Sequence, residues 1–326
     1  MKKIVLKRIL ISLSFVAIVI ACYAYLSMIL MPKDYDDLGG QKYYATLSFK
    51  AEKDNTLDFA FCGNSDVYSG FSPIEFYKQT GSTSYVCGAA KQPAKGVEKN
   101  VKYLIKHHDL KLLIIDVDCL YYKNSIDGFA MYDVAKFIAP FKYHARWKEL
   151  ELKDFYTVPK IESDPLKGYI PQATVRNYTL KEGFMTNTDA APKTLDKSVV
   201  KNMKNIAKLC EDNNVELLLV CLPTPHSWNN AKSNGIQKLA KELGVPFLDL
   251  NLPIADYELD YSTSFRDNGN HLNIYGATYT TDFLVNYISS HYDLPDHSNE
   301  AKYKNWNELV PIYEKHIEML IEEENK

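Results

Sequence analysis

Leu57-Asp58-Phe59-Ala60-Phe61-Cys62-Gly63-Asn64-Ser65-Asp66 is the stretch on which the fold of this 326-residue chain turns. Leu57 to Cys62 is short and mostly apolar, and Gly63 stops it, so it reads as a buried strand followed by a polar turn. The pattern then repeats. Pro73 to Thr80 reads as a helix with proline in its first turn. Ser84 to Cys87 is a second strand, stopped by Gly88. Residues 94–108 form a helix with Val97, Val101, Leu104 and Ile105 at helical spacing, and Leu112 to Val117 is a third strand. After an interruption come a helix at about 196–212, a strand at Leu217 to Leu222 ended by Pro223 and Pro225, and a helix at 229–243. A strand at Val245 to Leu250 and a helix from Tyr275 to about Ser290 complete the series. Strands alternating with helices predict an α/β domain, a parallel sheet of about five strands in flavodoxin-like order with helices on both faces.

The interruption, about 120–195, is rich in Tyr, Pro and Lys and has no clean period. With its aromatic cluster Phe141, Tyr143, His144 and Trp147, it reads as an insertion that packs over the sheet edge or roofs the site. Residues 299–326 place Trp306, Leu309, Ile312, Tyr313 and Ile317 at helical spacing, an amphipathic helix that docks on the domain or meets a partner or membrane surface.

The N-terminus follows other rules. Lys2, Lys3, Lys7 and Arg8 precede an uncharged run from Ile9 to Pro32, and Asp34, Asp36 and Asp37 follow it. At about 1.5 Å per residue this run spans a hydrocarbon layer of roughly 30 Å. The charge asymmetry puts the N-terminus in the cytoplasm and the remainder outside, as a single-pass cell-membrane protein inserted through residues 9–31. A cleaved signal peptide would have a shorter apolar core and a small-residue cut site. Val19-Ile20-Ala21-Cys22 resembles a lipobox, but the chain stays apolar from Tyr23 to Met31. The expected layout is a cytoplasmic tip and signal-anchor at 1–32, a stalk at 33–56, a catalytic domain at 57–295 carrying the insertion, and a C-terminal helix at 296–326.

Overall, 38 basic residues face 41 acidic ones; with the four N-terminal basic residues set aside, the remainder stands at −7. No basic cluster points to nucleic acid. Among Cys22, Cys62, Cys87, Cys119, Cys210 and Cys221 none has Cys-x-x-Cys spacing, and Cys62, Cys87 and Cys221 lie in or beside apolar runs as small core residues. Neither a metal nor a cofactor is expected.

Ligands of open parallel sheets sit beyond the carboxyl ends of the strands. Ser65 lies immediately past the first strand, where it is either a nucleophile or a helix cap. His271 lies in the polar loop Asp267-Asn268-Gly269-Asn270-His271-Leu272-Asn273 before the last helix, where it is either a general base for Ser65 or a loop histidine. His226, after the fourth strand, either lines the pocket or belongs to a structural turn. His144 and Trp147 are roof candidates or packing residues, and His107-His108 ends a helix.

At these residues the sequence resembles the SGNH/GDSL hydrolases. Gly63, Asn64, Ser65 and Asp66 match the first block, Gly88 the second-block glycine, and Asp267, His271, Leu272, Asn273 and Gly276 the last block. The resemblance spans about 57–290. It implies an SGNH hydrolase fold and a triad of Ser65, His271 and an acid. It also implies an oxyanion hole from the backbone N–H groups of Ser65 and Gly88 and an asparagine side chain, with Asn64, Asp66, Asp118, His226, Asn268 and Asn270 as pocket candidates. Two departures stand out. The family acid is three residues before the histidine, where this chain has Asn268; Asp267, four before it, is assigned instead, with the loop one residue longer. The third-block asparagine is missing, and Asp118 stands in that region. A membrane helix joined to such a domain resembles proteins of alginate acetylation and teichoic-acid D-alanylation. That resemblance implies acyl transfer through a Ser65 ester onto a cell-surface glycan, beside a polytopic membrane-bound O-acyltransferase. A carbohydrate esterase or deacetylase with water as acceptor, and a non-catalytic glycan-binding assembly module, are the alternatives.

Overall fold

The computed structural model describes residues 2–34, 37, 40–124 and 135–326; Asp36 of the acidic flank and residues 125–134 of the insertion lie outside the described residues. The chain divides into two compact units, Met1–Tyr44 with Ala130–Ile161, and Ala45–Phe129 with Glu162–Lys326.

The second unit carries the sheet. Its strands are β1 (Phe59–Gly63), β2 (Ser84–Gly88), β3 (Leu112–Asp116), β4 (Glu216–Cys221) and β5 (Phe247–Asp249), all parallel, in the order β2-β1-β3-β4-β5. That is the flavodoxin-like order expected from the sequence. The period of two along each strand divides the core. Ala60, Cys62, Leu113, Ile115, Leu217 and Leu219 face one cluster; Phe59, Phe61, Leu112, Ile114, Leu218 and Val220 face the other. Both faces are covered, which is why these strands read as unbroken apolar runs rather than as alternating ones. Helices α5 (Ala94–His107), α7 (Lys197–Asp212) and α8 (Asn230–Leu243) bury Val97, Met203 and Ile236 on the first face. Helices α3 (Ser65–Gly70) and α9 (Ile274–His291) bury Val67, Leu284 and Ile288 on the second. Between them, α4 (Pro73–Thr80) gives Ile74 and Tyr77 to one cluster and Phe76 to the other. The six cysteines are free, and all but Cys22 are buried.

Two boundaries differ from the expected layout, and the C-terminal segment takes its docked alternative. Residues 33–56 are not a separate stalk. They include α2 (Gly40–Leu47) and a 3-10 turn at Ser48–Ala51, whose Phe49 is fully buried in the sheet unit's core. The buried run Tyr43 to Phe49 is short and lies between polar stretches, and that hid it in the sequence. The C-terminal helix α10 (Lys304–Glu324) is part of the sheet unit: it packs on α4, with Trp306 and Tyr313 buried and the Trp306 ring 5.1 Å from that of Tyr77. Finally, the insertion is split. Of the described residues, 135–161 belong with the N-terminal helix, whereas 162–195 stay with the sheet. Lys167 O accepts the N–H of edge-strand Val86 at 2.9 Å, so this second half covers the sheet edge at β2.

The first unit is built on α1 (Lys2–Leu30), the one helix among the described residues that is long and apolar enough to cross a membrane. Helix α6 (Ala135–Lys142) packs along it, and two 3-10 turns, His144–Lys148 and Leu152–Phe155, lie near its C-terminal end. His144 and Trp147, roof candidates in the sequence, are exposed members of this helical unit.

Candidate active site

The carboxyl ends of β1, β2 and β3 meet at one edge of the sheet unit. At Gly63 a Cβ would lie 2.8 Å from Val67 and 2.9 Å from Asp116; at Gly88 it would lie 2.6 Å from the Asn64 carbonyl oxygen. Only glycine lets the turn after β1 press against the ends of its two neighbours. Gln92 ties the same ends together, donating from Nε2 to Gly63 O at 2.9 Å and to Cys87 O at 3.4 Å. Asn64 caps α3, its Oδ1 accepting the Asp66 N–H at 2.8 Å, so that Ser65 opens the helix at the sheet edge.

The His271 loop is shaped by one carboxylate. Asp267 Oδ1 accepts the backbone N–H groups of Asn270 (2.9 Å) and His271 (3.0 Å), and Asp267 Oδ2 meets His271 Nδ1 at 2.5 Å. Burial opposes the charge on Asp267, but the hydrogen bonds from His271 and Asn270 outweigh it and hold the carboxyl below its ordinary range. Between Asp267 and His271, Gly269 turns the chain with a φ of +79°, in the left-handed region, and the Asn268 side chain is exposed. Phe265 and Leu272 form a bridge beneath the loop, and Asn273 caps α9 through the N–H groups of Tyr275 and Gly276. The second half of the insertion braces this loop: the Arg176 N–H donates to Phe265 O at 2.8 Å and the Ile274 N–H to Gln172 O at 3.0 Å.

These two constructions meet. His271 Nε2 lies 2.8 Å from Ser65 Oγ, across 206 residues of sequence. Ser65, His271 and Asp267 thus form one continuous hydrogen-bonded chain. His271 and Asp267 are 25% and 35% exposed, so solvent reaches it. A carboxylate that fixes one ring nitrogen leaves the other to accept a proton from a hydroxyl.

Around the chain the other expected residues separate. Asn64 is fully buried, Asp66 and Asp118 nearly so. Asp66 Oδ1 is 3.8 Å from His271 Nε2, and burial, with Asp116 and Asp118 nearby, pushes the Asp66 carboxyl well above the usual carboxylate range. Asn270 contributes its backbone. The His226 side chain is exposed, and its backbone N–H donates to Gly269 O at 3.0 Å, bracing the loop. In the same turn after β4, Trp228 is buried and the Ser227 hydroxyl donates to Asp118 Oδ1 at 3.4 Å.

Sequence reasoning missed the group that answers Asp118. Lys232 Nζ, from the first turn of α8, lies 3.0 Å from Asp118 Oδ1, with its ammonium over the rings of Tyr121 (5.3 Å) and Trp228 (5.5 Å). Asp118 Oδ2 accepts from Asn64 Nδ2 at 3.3 Å. The position where the family resemblance calls for a neutral asparagine therefore holds a buried ion pair. Asp116 was also missed: fully buried, it accepts the Leu222 and Asp118 N–H groups and fixes the strand ends. Nothing in the sequence sets Lys232 apart from other lysines. The helix bearing it follows a strand end, and that is the only available signal. No group of three or more His, Cys, Asp or Glu side chains among the described residues is arranged to hold a metal ion. A cleft of about 600 Å³ lies elsewhere, lined by Lys204, Glu216, Gly244 and Pro246 at the amino ends of β4 and β5.

No family model and no curated protein matches the chain. Among solved structures it is similar to a GDSL-like lipase from Bacteroides thetaiotaomicron (14% identity, 76% of this chain and 97% of that one, TM-score 0.38). It is likewise similar to an assigned acylhydrolase from Bacteroides fragilis (13% identity, 78% and 98%, TM-score 0.38). A third similar structure is an assigned lipolytic protein of the G-D-S-L family from Desulfitobacterium hafniense (13% identity, 70% and 98%, TM-score 0.38).

Proposed function

We propose that the chain is a serine-dependent ester-processing enzyme of the SGNH/GDSL kind, held at the outer face of a membrane by α1. The observation that carries the reading is the unbroken contact Ser65–His271–Asp267 at the carboxyl edge of the sheet. In the reaction, His271 Nε2 takes the Ser65 proton as Oγ attacks an ester carbonyl, and Asp267 steadies the imidazolium. The oxyanion forms against the backbone N–H groups of Ser65 and Gly88. Donors of this kind act on charge only as it develops, and losing one costs about 10²–10³ in rate. His271 then protonates the departing alcohol, which leaves an acyl group on Ser65. An acceptor hydroxyl, deprotonated by the same histidine, takes the acyl group and frees the serine.

The acceptor we propose is a sugar hydroxyl of a cell-surface glycan, the acyl group being acetyl and the donor side a polytopic membrane-bound O-acyltransferase. The solvent-reached triad favours an acceptor carried on a large molecule, and an anchored domain stays at the envelope where such polymers lie. The basic flank before α1 and the acidic residues after it favour a cytoplasmic N-terminus. Water as acceptor makes the same chain an esterase.

The test is a single-turnover reaction with an activated acetyl ester. An acetyl adduct on Ser65, seen by mass spectrometry, is expected; its decay should be faster with glycan oligosaccharide than in buffer. Decay indifferent to glycan would make the chain an esterase, and absence of any adduct would leave a binding module.

A further inference from the structure

We infer that residues 141–158, through the two 3-10 turns beside the end of α1, form an interfacial collar that enters the outer leaflet of the bilayer. The inference rests on the reading of α1 as a membrane span. Phe141, Trp147, Leu152, Phe155, Tyr156 and Val158 are all exposed, Leu152 by 81% and Trp147 by 65%. Six large apolar side chains turned outward within one short segment are unusual on a surface that faces only water.

The segment's position along α1 identifies what covers it. Tyr25 OH donates to Phe155 O at 3.1 Å, and Arg146 Nη1 donates to Met31 O at 2.6 Å. Tyr25 lies six residues before Met31, which at 1.5 Å per residue is about 9 Å below the end of the apolar run. The collar therefore brackets the level at which a span leaves the hydrocarbon, the depth of about 5–10 Å where amphipathic segments settle. Its composition agrees. Trp147, Tyr156 and two phenylalanines stand among Lys142, Lys148 and Lys153 and the acids Glu149, Glu151 and Asp154, and aromatic rings beside charged side chains suit a membrane–water boundary.

The interior is arranged for that place. Arg146 is buried; besides the helix-end carbonyl of Met31 it pairs through Nη2 with Asp37 (2.9 Å) and Asp154 (3.1 Å). A cation near hydrocarbon is tolerated when paired and bonded to backbone carbonyls. Here it also satisfies carbonyls that α1 leaves open at its C-terminus. A protein partner would cover apolar side chains equally well, but α1, exposed along its apolar length as far as Leu26 and touching the collar at Tyr25, makes lipid the continuous neighbour.

Fluorescence decides the matter, because Trp147 is the one exposed tryptophan and Trp228 and Trp306 are buried. Full-length protein is reconstituted in phosphatidylcholine–phosphatidylglycerol vesicles, and the Trp147 signal is taken as wild type minus Trp147→Phe. We expect loss of this signal with lipids brominated near the headgroup, less loss with lipids brominated near the chain terminus, and protection from aqueous iodide. Leu152→Asp, a change at an exposed position, should weaken the bromolipid quenching with the circular dichroism unchanged. Full quenching by iodide and none by bromolipid overturns the collar. Protection from both quenchers also overturns it, in favour of a protein cover. An alkaline carbonate wash separates the two readings: release of the protein refutes the span and the collar together, whereas a retained protein with iodide-accessible Trp147 refutes the collar alone.

Discussion

His271 and His297 of the sheet unit each sit beside carboxylates, and of the two only His271 also faces a hydroxyl. His271 lies between Asp267 at 2.5 Å and the Ser65 hydroxyl at 2.8 Å. His297 lies between two acids, Asp58 at 3.0 Å from Nε2 and Glu300 at 2.6 Å from Nδ1, and stacks on Tyr303 at 3.8 Å. Burial works against charge on His297, but hydrogen bonds to Glu300 and Asp58 prevail and raise its pKa above the ordinary histidine value. With both nitrogens committed as donors, it cannot serve as a base. It acts as a clasp: Asp58 also accepts the Thr83 N–H and hydroxyl, each at 2.7 Å, so the starts of β1 and β2 are tied to the C-terminal segment. What separates a base from a clasp is the second neighbour, a hydroxyl that can give up a proton or an acid that can only accept one.

Three substitutions test that contrast. Ser65→Ala removes the proposed nucleophile and should lower kcat on the order of 10⁶-fold with an activated ester, with the thermal unfolding midpoint nearly unchanged. Activity near wild type would reduce Ser65 to a helix-opening residue and erase the distinction between the histidines. Asp267→Asn should cost about 10⁴-fold in kcat, because an amide no longer selects the tautomer that presents a basic Nε2 to Ser65. A much smaller loss would hand the orienting role to a different carboxylate; Asp66, 3.8 Å from the same nitrogen, is then the residue to change next.

His297→Ala should leave kcat within a few-fold of wild type and reduce stability instead. Asp58 Oδ1 loses its partner in a buried place, at a cost of about 1–3 kcal/mol. In a domain of this size each kcal/mol lowers Tm by about 2–4 °C. The effect should depend on pH in one direction. A histidine whose folded pKa is raised contributes fully below its unfolded value of about 6.5, and the contribution fades as pH rises through the folded value. The Tm gap between wild type and His297→Ala should therefore be wider at pH 5.5 than at pH 9, a choice of conditions set on either side of about 6.5. A gap that widens with pH would mean that His297 is neutral in the fold.

The sequence by itself determined the alternation of five strands with helices, because a strand buried on both faces must be apolar at nearly every position and must end where the backbone turns. It also marked Ser65 and His271, since each follows a strand or precedes a helix on the edge that parallel sheets use for ligands. Only the tertiary structure decided which charges answer one another. Lys232 and Asp118 are 114 residues apart, and nothing local to either announces the pair. The same limit explains why His271 and His297 look alike in the chain, each a few residues from an acid. It explains as well why residues 135–161 read as part of an insertion over the sheet, although they pack with α1. Strand and helix are set by short-range periodicity and by which side chains must leave water. A partner across space is set by the packing of whole elements, and the local pattern carries no record of it.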